Sequence, residues 1–226
     1  MLGGADVVLC GNSIGGGLSA GAAATLGEQC KGVVLCNTAG VLTSRDEYEA
    51  ELARRGSSVA DETLEGRGKP YAPVPLLGQP ALDLFGALII AAIYPQIEPR
   101  LGSIYADRPA NADAALVYAI QQGASSPGSA NVIGSGQKLA TNRPLNEVLS
   151  AQFGFGGPVL VAQGLNDRVS GPARARERAD AFDTMRDGFR VERIEGGHCV
   201  QDDSPDAVAR ALLRWLPQVQ AWASRE

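Results

Sequence analysis

The chain has 226 residues, of which 45% are hydrophobic and 20% are charged, as in an ordinary soluble globular protein. Its formal net charge of −5 and its scattered basic residues give no electrostatic footprint for nucleic acid, which we exclude as a partner. Four widely spaced cysteines without a CxxC pair, and a single histidine, exclude a disulfide framework and a multi-histidine metal centre. We therefore expect reduced thiols and no bound metal.

The first forty residues have the pattern of a strand, a glycine turn, a helix and a second strand. Residues 5–10 form a run rich in Val and Leu between glycines, which predicts a parallel strand buried on both faces. Residues 18–26 predict a helix that ends at Gly27, and residues 32–36 predict another buried strand. This order predicts a βαβ unit with two adjacent parallel strands.

The same alternation returns near the C-terminus. Residues 158–163 and 189–194 predict two more strands, with a helix over residues 172–185 between them. Ser204 is predicted to cap a final helix over residues 205–222. The apolar face of that helix is predicted to contain Val208, Leu212, Trp215 and Leu216.

Between these two blocks, the sequence favours helices and shows no convincing strand. A charged helix is predicted over residues 45–55, and a loop rich in proline and glycine over residues 66–80. We therefore predict an α/β core of residues 1–42 and 158–226, with about four parallel strands and flanking helices, and a helical cap insertion of residues 43–157.

The chain is predicted to be soluble and intracellular. The most apolar stretch, residues 84–94, is far shorter than the roughly 20 residues needed to cross a bilayer. The N-terminal residues lead into a short apolar strand, without the charged stretch and apolar region of a signal peptide.

The stretch Gly11-Asn12-Ser13-Ile14-Gly15 matches G-x-S-x-G, the pattern of a nucleophile elbow between a strand and a helix. Glycine is expected two positions before and after the serine, because side chains there would collide with neighbouring backbone. A second match, residues 17–21 around Ser19, shows that the pattern alone is weak, but only Ser13 follows a predicted strand and begins a helix. The alternative for Ser13 is a phosphate-binding glycine loop or a plain turn.

The partners of such a serine are expected in the order acid, then histidine, each after a later strand. Asp167 follows the strand over residues 158–163, and His198 follows the strand over residues 189–194. Asp202 and Asp203 are alternatives to Asp167, although we expect them to cap the last helix. The pattern predicts that His198 removes the hydroxyl proton of the attacking serine and that Asp167 orients the imidazole.

Ile14 is predicted to supply one backbone N–H to an oxyanion hole, and Asn12 is assigned to the same oxyanion and substrate-binding region. The second donor has no candidate in the sequence. Haloalkane dehalogenases and epoxide hydrolases with the same elbow between a strand and a helix have an aspartate as nucleophile. A serine at position 13 therefore argues against their chemistry.

These residues resemble the α/β-hydrolases of the pheophytinase and chlorophyll dephytylase type, which are found in chloroplasts. Three segments carry the resemblance: residues 11–16 with 31–37, residues 101–107, and residues 197–199 with Asp202, Asp203 and Pro205. After Gly-His-Cys those relatives tend to continue with Pro-His-Asp, whereas this chain has Val200, Gln201 and Asp202.

The resemblance implies hydrolysis of a phytyl ester on a chlorophyll derivative, or of another lipophilic ester, without a metal or organic cofactor, and a chloroplast location. The apolar run of residues 84–93 has two interpretations, a pocket for a long isoprenoid or acyl chain and an ordinary buried helix. Peripheral contact of the cap with a membrane is a further expectation.

In that family the elbow strand is the fifth of eight, whereas this chain begins with it. We therefore expect the first strands and the second oxyanion donor to be missing, and the first strand to lie at an exposed apolar sheet edge. Loss of one oxyanion donor costs on the order of 100 to 1000-fold in rate. Three functions stay open: a serine carboxylester hydrolase, an inactive chain that acts as a binding module, and a C–C hydrolase or cofactor-free peroxidase on the same triad.

Overall fold

The structure is a computed structural model that describes residues 5–56, 58, 78–138 and 143–224. The chain divides into two compact units. The first unit comprises residues 1–58, 104–108 and 143–226, and the second comprises residues 59–103 and 109–142. The predicted boundaries of the core and the cap stay predictions. Three parts of the predicted cap fall in the first unit: residues 43–58, 104–108 and 143–157.

The first unit contains a sheet of four parallel strands. The strands are β1 (Val7–Asn12), β2 (Cys30–Cys36), β3 (Val159–Gly164) and β4 (Phe189–Ile194), in the spatial order β1-β2-β3-β4. In the middle of the sheet, Leu35 is paired with Gly11 on one side and with Val161 on the other. The predicted fold class, an α/β core with about four parallel strands, is confirmed.

The strands differ in burial according to their place in the sheet. Every residue of β2 and β3 is buried, because neighbours pair with both edges and helices cover both faces. Strand β1 pairs only with β2 among the described residues, and its positions alternate in exposure, with Val8 44% exposed. The prediction of a first strand buried on both faces is therefore wrong, whereas its expected place at a sheet edge agrees with the structure.

The described helices follow the sequence pattern closely in the first unit. In chain order they are α1 (Ile14–Leu26), α2 (Arg45–Arg55), α3 (Gln79–Ile93), α4 (Ile97–Ile104), α5 (Ala114–Ala124), α6 (Ser129–Gly134), α7 (Leu145–Val148), α8 (Pro172–Asp183), α9 (Val200–Asp203) and α10 (Pro205–Ala223). Helix α2 has its predicted bounds, because Ser44 and Glu47 form a capping box at its start and Gly56 adopts φ 74° at its end.

Helices cover both faces of the sheet. Alternate residues of each strand point to opposite sides, so the apolar strand residues pack against helices on either face. On one face, Val33 and Leu35 of β2 pack in a cluster with Ala20 of α1 and Phe182 of α8. On the other face, Val34 and Cys36 of β2 belong to a cluster built on α10. The residues that α10 buries in it are Val208, Ala211, Trp215 and Val219.

Two details of the last helix differ from the prediction. Leu216 is 40% exposed, because the buried stripe continues from Trp215 to Val219 at helical spacing instead. Ser204 makes no side-chain cap of α10, since its hydroxyl donates to the Asp107 carboxylate at 3.0 Å.

The described part of the second unit is helical. Helices α3 and α6 approach so closely that a Cβ on Gly86 would lie 2.0 Å from the Ala130 carbonyl oxygen. A Cβ on Gly134 would lie 2.1 Å from the Leu82 carbonyl oxygen, so both glycines are needed at this crossing. Most of the loop predicted over residues 66–80 lies outside the described residues, and its last two residues begin α3.

The apolar run of residues 84–93 is not an ordinary buried helix. Leu84 and Leu88 are 61% and 62% exposed, and Gly86 is the buried residue of α3. Its other side lines a cavity of about 650 Å³ within the second unit, with contributions from α5 and α6. The prominent apolar side chains of that cavity are Ile89, Ile90, Ile93, Ile120 and Val132.

The apolar helical stretch is also longer than the sequence analysis assumed. By length and composition alone, residues 79–104 could cross a membrane: the stretch has 26 residues, and an 18-residue window in it has a mean hydropathy of 1.5 and is 11% buried. This stretch is longer than the apolar run of residues 84–94, because the chain continues helically through Tyr94–Gln96 into α4.

We predict that Gly32→Ala destabilises the first unit by about 1–3 kcal/mol, the usual cost of overpacking a core. A Cβ on Gly32 would lie 2.7 Å from the Trp215 ring and 3.1 Å from Val219. The measurement is the free energy of unfolding from urea denaturation. Gly21→Ala is the matched control, because a Cβ on this α1 residue meets no described atom within 4 Å and alanine favours helix by about 0.5–1 kcal/mol. Equal effects of the two substitutions would contradict the packing described for β2 and α10.

Candidate active site

Ser13 lies in the turn between β1 and α1, with φ 53° and ψ −121°. Its backbone is held on both sides: its N–H donates to the Cys36 carbonyl at 3.0 Å, and its carbonyl accepts from the Ala39 N–H at 2.7 Å. A positive φ is unfavourable for a non-glycine residue and marks a strained turn. A strained turn between a strand and a helix is the backbone that the predicted nucleophile elbow requires.

The glycines around Ser13 differ in how strictly they are required. A Cβ on Gly11 would lie 2.1 Å from the Gly15 carbonyl oxygen, which agrees with the predicted collision. At Gly15 the prediction is wrong, because a Cβ there meets no described atom within 4 Å. The constraint falls on Gly16 instead, where a Cβ would lie 2.6 Å from the Thr38 Cβ.

Asp167 and His198 lie beyond the ends of β3 and β4 and are joined by a hydrogen bond. The distance between the Asp167 Oδ1 and the His198 Nδ1 is 3.1 Å. Asp167 is buried and also accepts from the Val169 N–H at 2.8 Å and the Ser170 hydroxyl at 2.9 Å. Burial raises the pKa of Asp167, but the hydrogen bonds outweigh it, chiefly that from His198, and hold the pKa below its ordinary value.

The three predicted triad residues line one cavity of about 180 Å³ in the first unit. Within the described residues, the Ser13 hydroxyl makes no hydrogen bond to the His198 imidazole. Such contacts are often long in structures without substrate and tighten when substrate binds. The fold thus brings together a strained serine, a histidine and an oriented carboxylate.

Asp202 and Asp203 have roles other than those expected. The buried Asp203 carboxylate accepts from four backbone N–H groups, those of Ala106, Asp107, Arg108 and Gly197, rather than capping α10. The Asp202 carboxylate accepts from the Tyr105 hydroxyl at 2.6 Å. Asp167 is therefore the carboxylate that is hydrogen-bonded to the His198 ring, and Asp203 fixes the loop on which His198 lies.

Asn37 is a site residue to which the sequence analysis assigned no role. It has φ 40°, and its side-chain amide nitrogen donates to the carbonyls of Gly197 at 2.7 Å and His198 at 2.9 Å. Its amide oxygen accepts from Gln163 and from the Gly164 N–H, both at 2.7 Å. Asn37 thus joins the ends of β2 and β3 to the histidine loop. An asparagine directly after a buried strand was the available signal, since Asn tolerates a left-handed backbone.

Asn12 also contacts the histidine loop, whereas Ile14 begins α1. The Asn12 side chain donates to the carbonyls of Cys36 and His198, both at 3.0 Å, so the structure gives it a supporting position behind the histidine. The Ile14 N–H lies in the first turn of α1, where helices leave donors without an intrahelical acceptor. The predicted contributions of both residues to an oxyanion or substrate site stay predictions.

We predict that Asp203→Asn lowers the free energy of unfolding by about 3 kcal/mol at pH 7, because an amide cannot accept from four N–H donors as a carboxylate does. Burial raises the Asp203 pKa, but the four backbone N–H groups outweigh it and the pKa is lowered. The stabilisation is therefore complete above the ordinary pKa near 3.9 and is lost as the pH falls through the folded-state pKa.

Urea denaturation of both proteins from pH 7 to pH 2.5 measures this effect. The difference between wild type and Asp203→Asn should shrink below about pH 4, and a difference that is constant with pH would contradict the proposed contacts. Asp206→Asn is the matched control, because Asp206 is exposed in its ion pair with Arg108 and such pairs contribute only about 0–1 kcal/mol.

Comparison with solved structures finds enzymes of the same fold. The structure resembles a probable hydrolytic enzyme from Pseudomonas aeruginosa PAO1 (TM-score 0.58, 18% identity), an esterase from Exiguobacterium antarcticum (0.56, 18%) and a thermophilic esterase from Thermogutta terrifontis (0.53, 17%). These matches cover 95%, 94% and 95% of this chain and 64%, 67% and 66% of the respective structures, so the chain spans about two-thirds of their length. At this identity the likeness shows the fold alone.

A search of curated proteins finds no match. The finer resemblance to the pheophytinase type therefore rests on the sequence motifs. A family model described as the alpha/beta hydrolase family matches residues 2–211, which is most of the chain. The chain therefore belongs to the alpha/beta hydrolase family.

Proposed function

We propose that the protein is a serine hydrolase that cleaves carboxylic esters through Ser13, Asp167 and His198. The observation that carries this proposal is the hydrogen bond between the buried Asp167 and the His198 Nδ1, at the rim of the same cavity that the elbow serine lines. Family membership and the esterase structures of the same fold support ester hydrolysis in general.

In the proposed reaction, the Ser13 Oγ attacks the carbonyl carbon of the ester while His198 Nε2 takes the hydroxyl proton. The ester C–O bond then breaks, and the proton passes from His198 to the leaving alcohol. Water hydrolyses the acyl-serine in the same two steps, which releases the acid and restores Ser13. Asp167 holds the imidazole with Nδ1–H towards its carboxylate, which leaves Nε2 free to accept a proton.

We also propose, more specifically, that the ester substrate is lipophilic. The apolar cavity of about 650 Å³ in the second unit supports it, since this volume falls in the usual range of ligand pockets, about 300–1,000 Å³. The exposed leucines of α3 support the proposed contact with a membrane surface. A phytyl ester and a chloroplast location are proposals that rest on the motif resemblance alone.

A binding module without catalysis is a second candidate function, and the edge of the sheet favours it. Strand β1 has one paired side among the described residues, and next to it Ile14 and Leu18 of α1 are 72% and 69% exposed. An apolar sheet edge of this kind is suited to pairing with another chain.

The third function left open by the sequence is carbon–carbon bond hydrolysis or cofactor-free peroxidation by the same three residues. Assays of dienone cleavage and of peracid formation distinguish these two reactions from ester cleavage.

We predict that a fluorophosphonate probe labels Ser13 covalently and that Ser13→Ala abolishes the labelling. His198→Ala should slow labelling at least about 100-fold, because the serine then has no general base. The site of modification is measured by peptide mass spectrometry, and hydrolysis of 4-nitrophenyl butyrate is followed in parallel.

Ser19→Ala is the matched control, because Ser19 belongs to the second G-x-S-x-G match but lies inside α1. It should label at the wild-type rate. A folded wild-type chain that never reacts with the probe would refute the serine hydrolase and leave the binding module.

A further inference from the structure

The cavity that contains the triad also contains two arginines. Arg174 and Arg178 both line it and lie four residues apart on α8, so they share one face of that helix. Arg178 is anchored, because its guanidinium donates to the carbonyls of Thr38 at 2.9 Å and Gly40 at 3.1 Å. Arg174 makes no hydrogen bond or ion pair within the part of the chain that the structure describes.

The two guanidinium groups give the cavity an excess of positive charge. Both stay protonated, since arginine does not lose its proton in proteins. Among the described residues that line the cavity, Asp167 is the one carboxylate. The two arginines and Asp167 together therefore give a charge of about +1, although the whole chain carries a formal charge of −5. Burial, and then the nearby charge of Arg174, lower the pKa of Arg178, as expected for two cations held side by side.

We propose that Arg174 and Arg178 bind a carboxylate of the substrate, so that the preferred ester is a half-ester of a small dicarboxylic acid. The guanidinium fork matches the two oxygens of a carboxylate and holds them through charge-assisted hydrogen bonds. One carboxylate group is enough to neutralise the single excess positive charge of the cavity. This inference rests on the proposed ester hydrolysis and names the class of its substrate.

The size of the cavity places this carboxylate on the acyl side of the ester. At about 180 Å³ the cavity is smaller than the usual 300–1,000 Å³ of ligand pockets, so it suits a short group. The acyl group stays bound to Ser13 through both steps of the reaction, whereas the alcohol leaves after the first. The small cavity around Ser13 is therefore the place for a short acyl chain with an acidic end.

The first experiment measures binding of glutarate to the Ser13→Ala variant by isothermal titration calorimetry, with the neutral glutaramide for comparison. Glutarate should bind and glutaramide should not. Arg174→Gln should weaken glutarate binding about 10-fold, the usual effect of losing a charge-assisted hydrogen bond. Arg174 is the preferred position, because Arg178→Gln would also remove the contacts to Thr38 and Gly40.

Arg176→Gln is the matched control, since Arg176 is exposed on the same helix and its side chain donates to the Pro172 carbonyl. It should leave glutarate binding unchanged. Equal binding of glutarate by Arg174→Gln and Arg176→Gln would overturn the proposal, as would binding of glutaramide as tight as that of glutarate. Tighter binding of inorganic phosphate than of glutarate would overturn the assignment to a carboxylate.

The second experiment compares two esters with the intact triad. 4-Nitrophenyl hemiglutarate carries the carboxylate, and 4-nitrophenyl 5-methylhexanoate is its neutral isostere; both rates are corrected for reaction in buffer. The ratio of their kcat/KM values should favour the hemiglutarate and fall about 10-fold in Arg174→Gln. An equal loss on both esters would show that the guanidinium acts on the reacting carbonyl, and it would count against substrate recognition.

The two experiments separate failure of this inference from failure of the proposed function. Binding to Ser13→Ala needs no nucleophile, so a chain that binds glutarate but never labels with a fluorophosphonate retains the anion site and loses the esterase. A chain that labels at Ser13 and shows no glutarate binding retains the esterase and loses the anion site.

Discussion

The position of His198 depends on buried polar side chains that form hydrogen bonds with the backbone of its loop. Asp203 accepts from the Gly197 N–H, Asn37 donates to the carbonyls of Gly197 and His198, and the His198 N–H donates to the Ile104 carbonyl. There is no room for a side chain where the Gly197 backbone meets residue 104, because a Cβ on Gly197 would lie 2.0 Å from the Ile104 carbonyl oxygen. These contacts fix the loop from which the imidazole meets the Asp167 carboxylate, at the cavity that Ser13 also lines.

The parallel sheet explains how Ser13, Asp167 and His198, which lie far apart in the sequence, line one compact candidate site. Parallel strands end at the same edge of a sheet, so the turns after β1, β3 and β4 meet although more than 150 residues separate the first from the second. Strand β2 lies between β1 and β3, pairs with both of them, and is followed directly by Asn37. The candidate site is therefore a property of the sheet rather than of any single motif.

The sequence was sufficient for features that depend on local pattern. The four strands, the bounds of α2, the strained turn at Ser13 and the places of Asp167 and His198 after their strands all follow from periodicity, capping and turn chemistry. Contacts between distant segments could not be derived in this way. Asp203 meets residues 106–108 nearly a hundred positions away, which made a local capping role the natural and wrong expectation. The exposure of α3 depends likewise on which neighbours the second unit provides.

The backbone at Ser13 has a consequence for how the chain balances stability against reactivity. A serine at φ 53° and ψ −121° occupies a conformation that costs on the order of 1–3 kcal/mol, which glycine would adopt freely. The most stable residue for this turn is therefore one without a hydroxyl. The protein thus retains a strained turn together with the residue that lines the cavity, and selection for stability alone would favour glycine at this position.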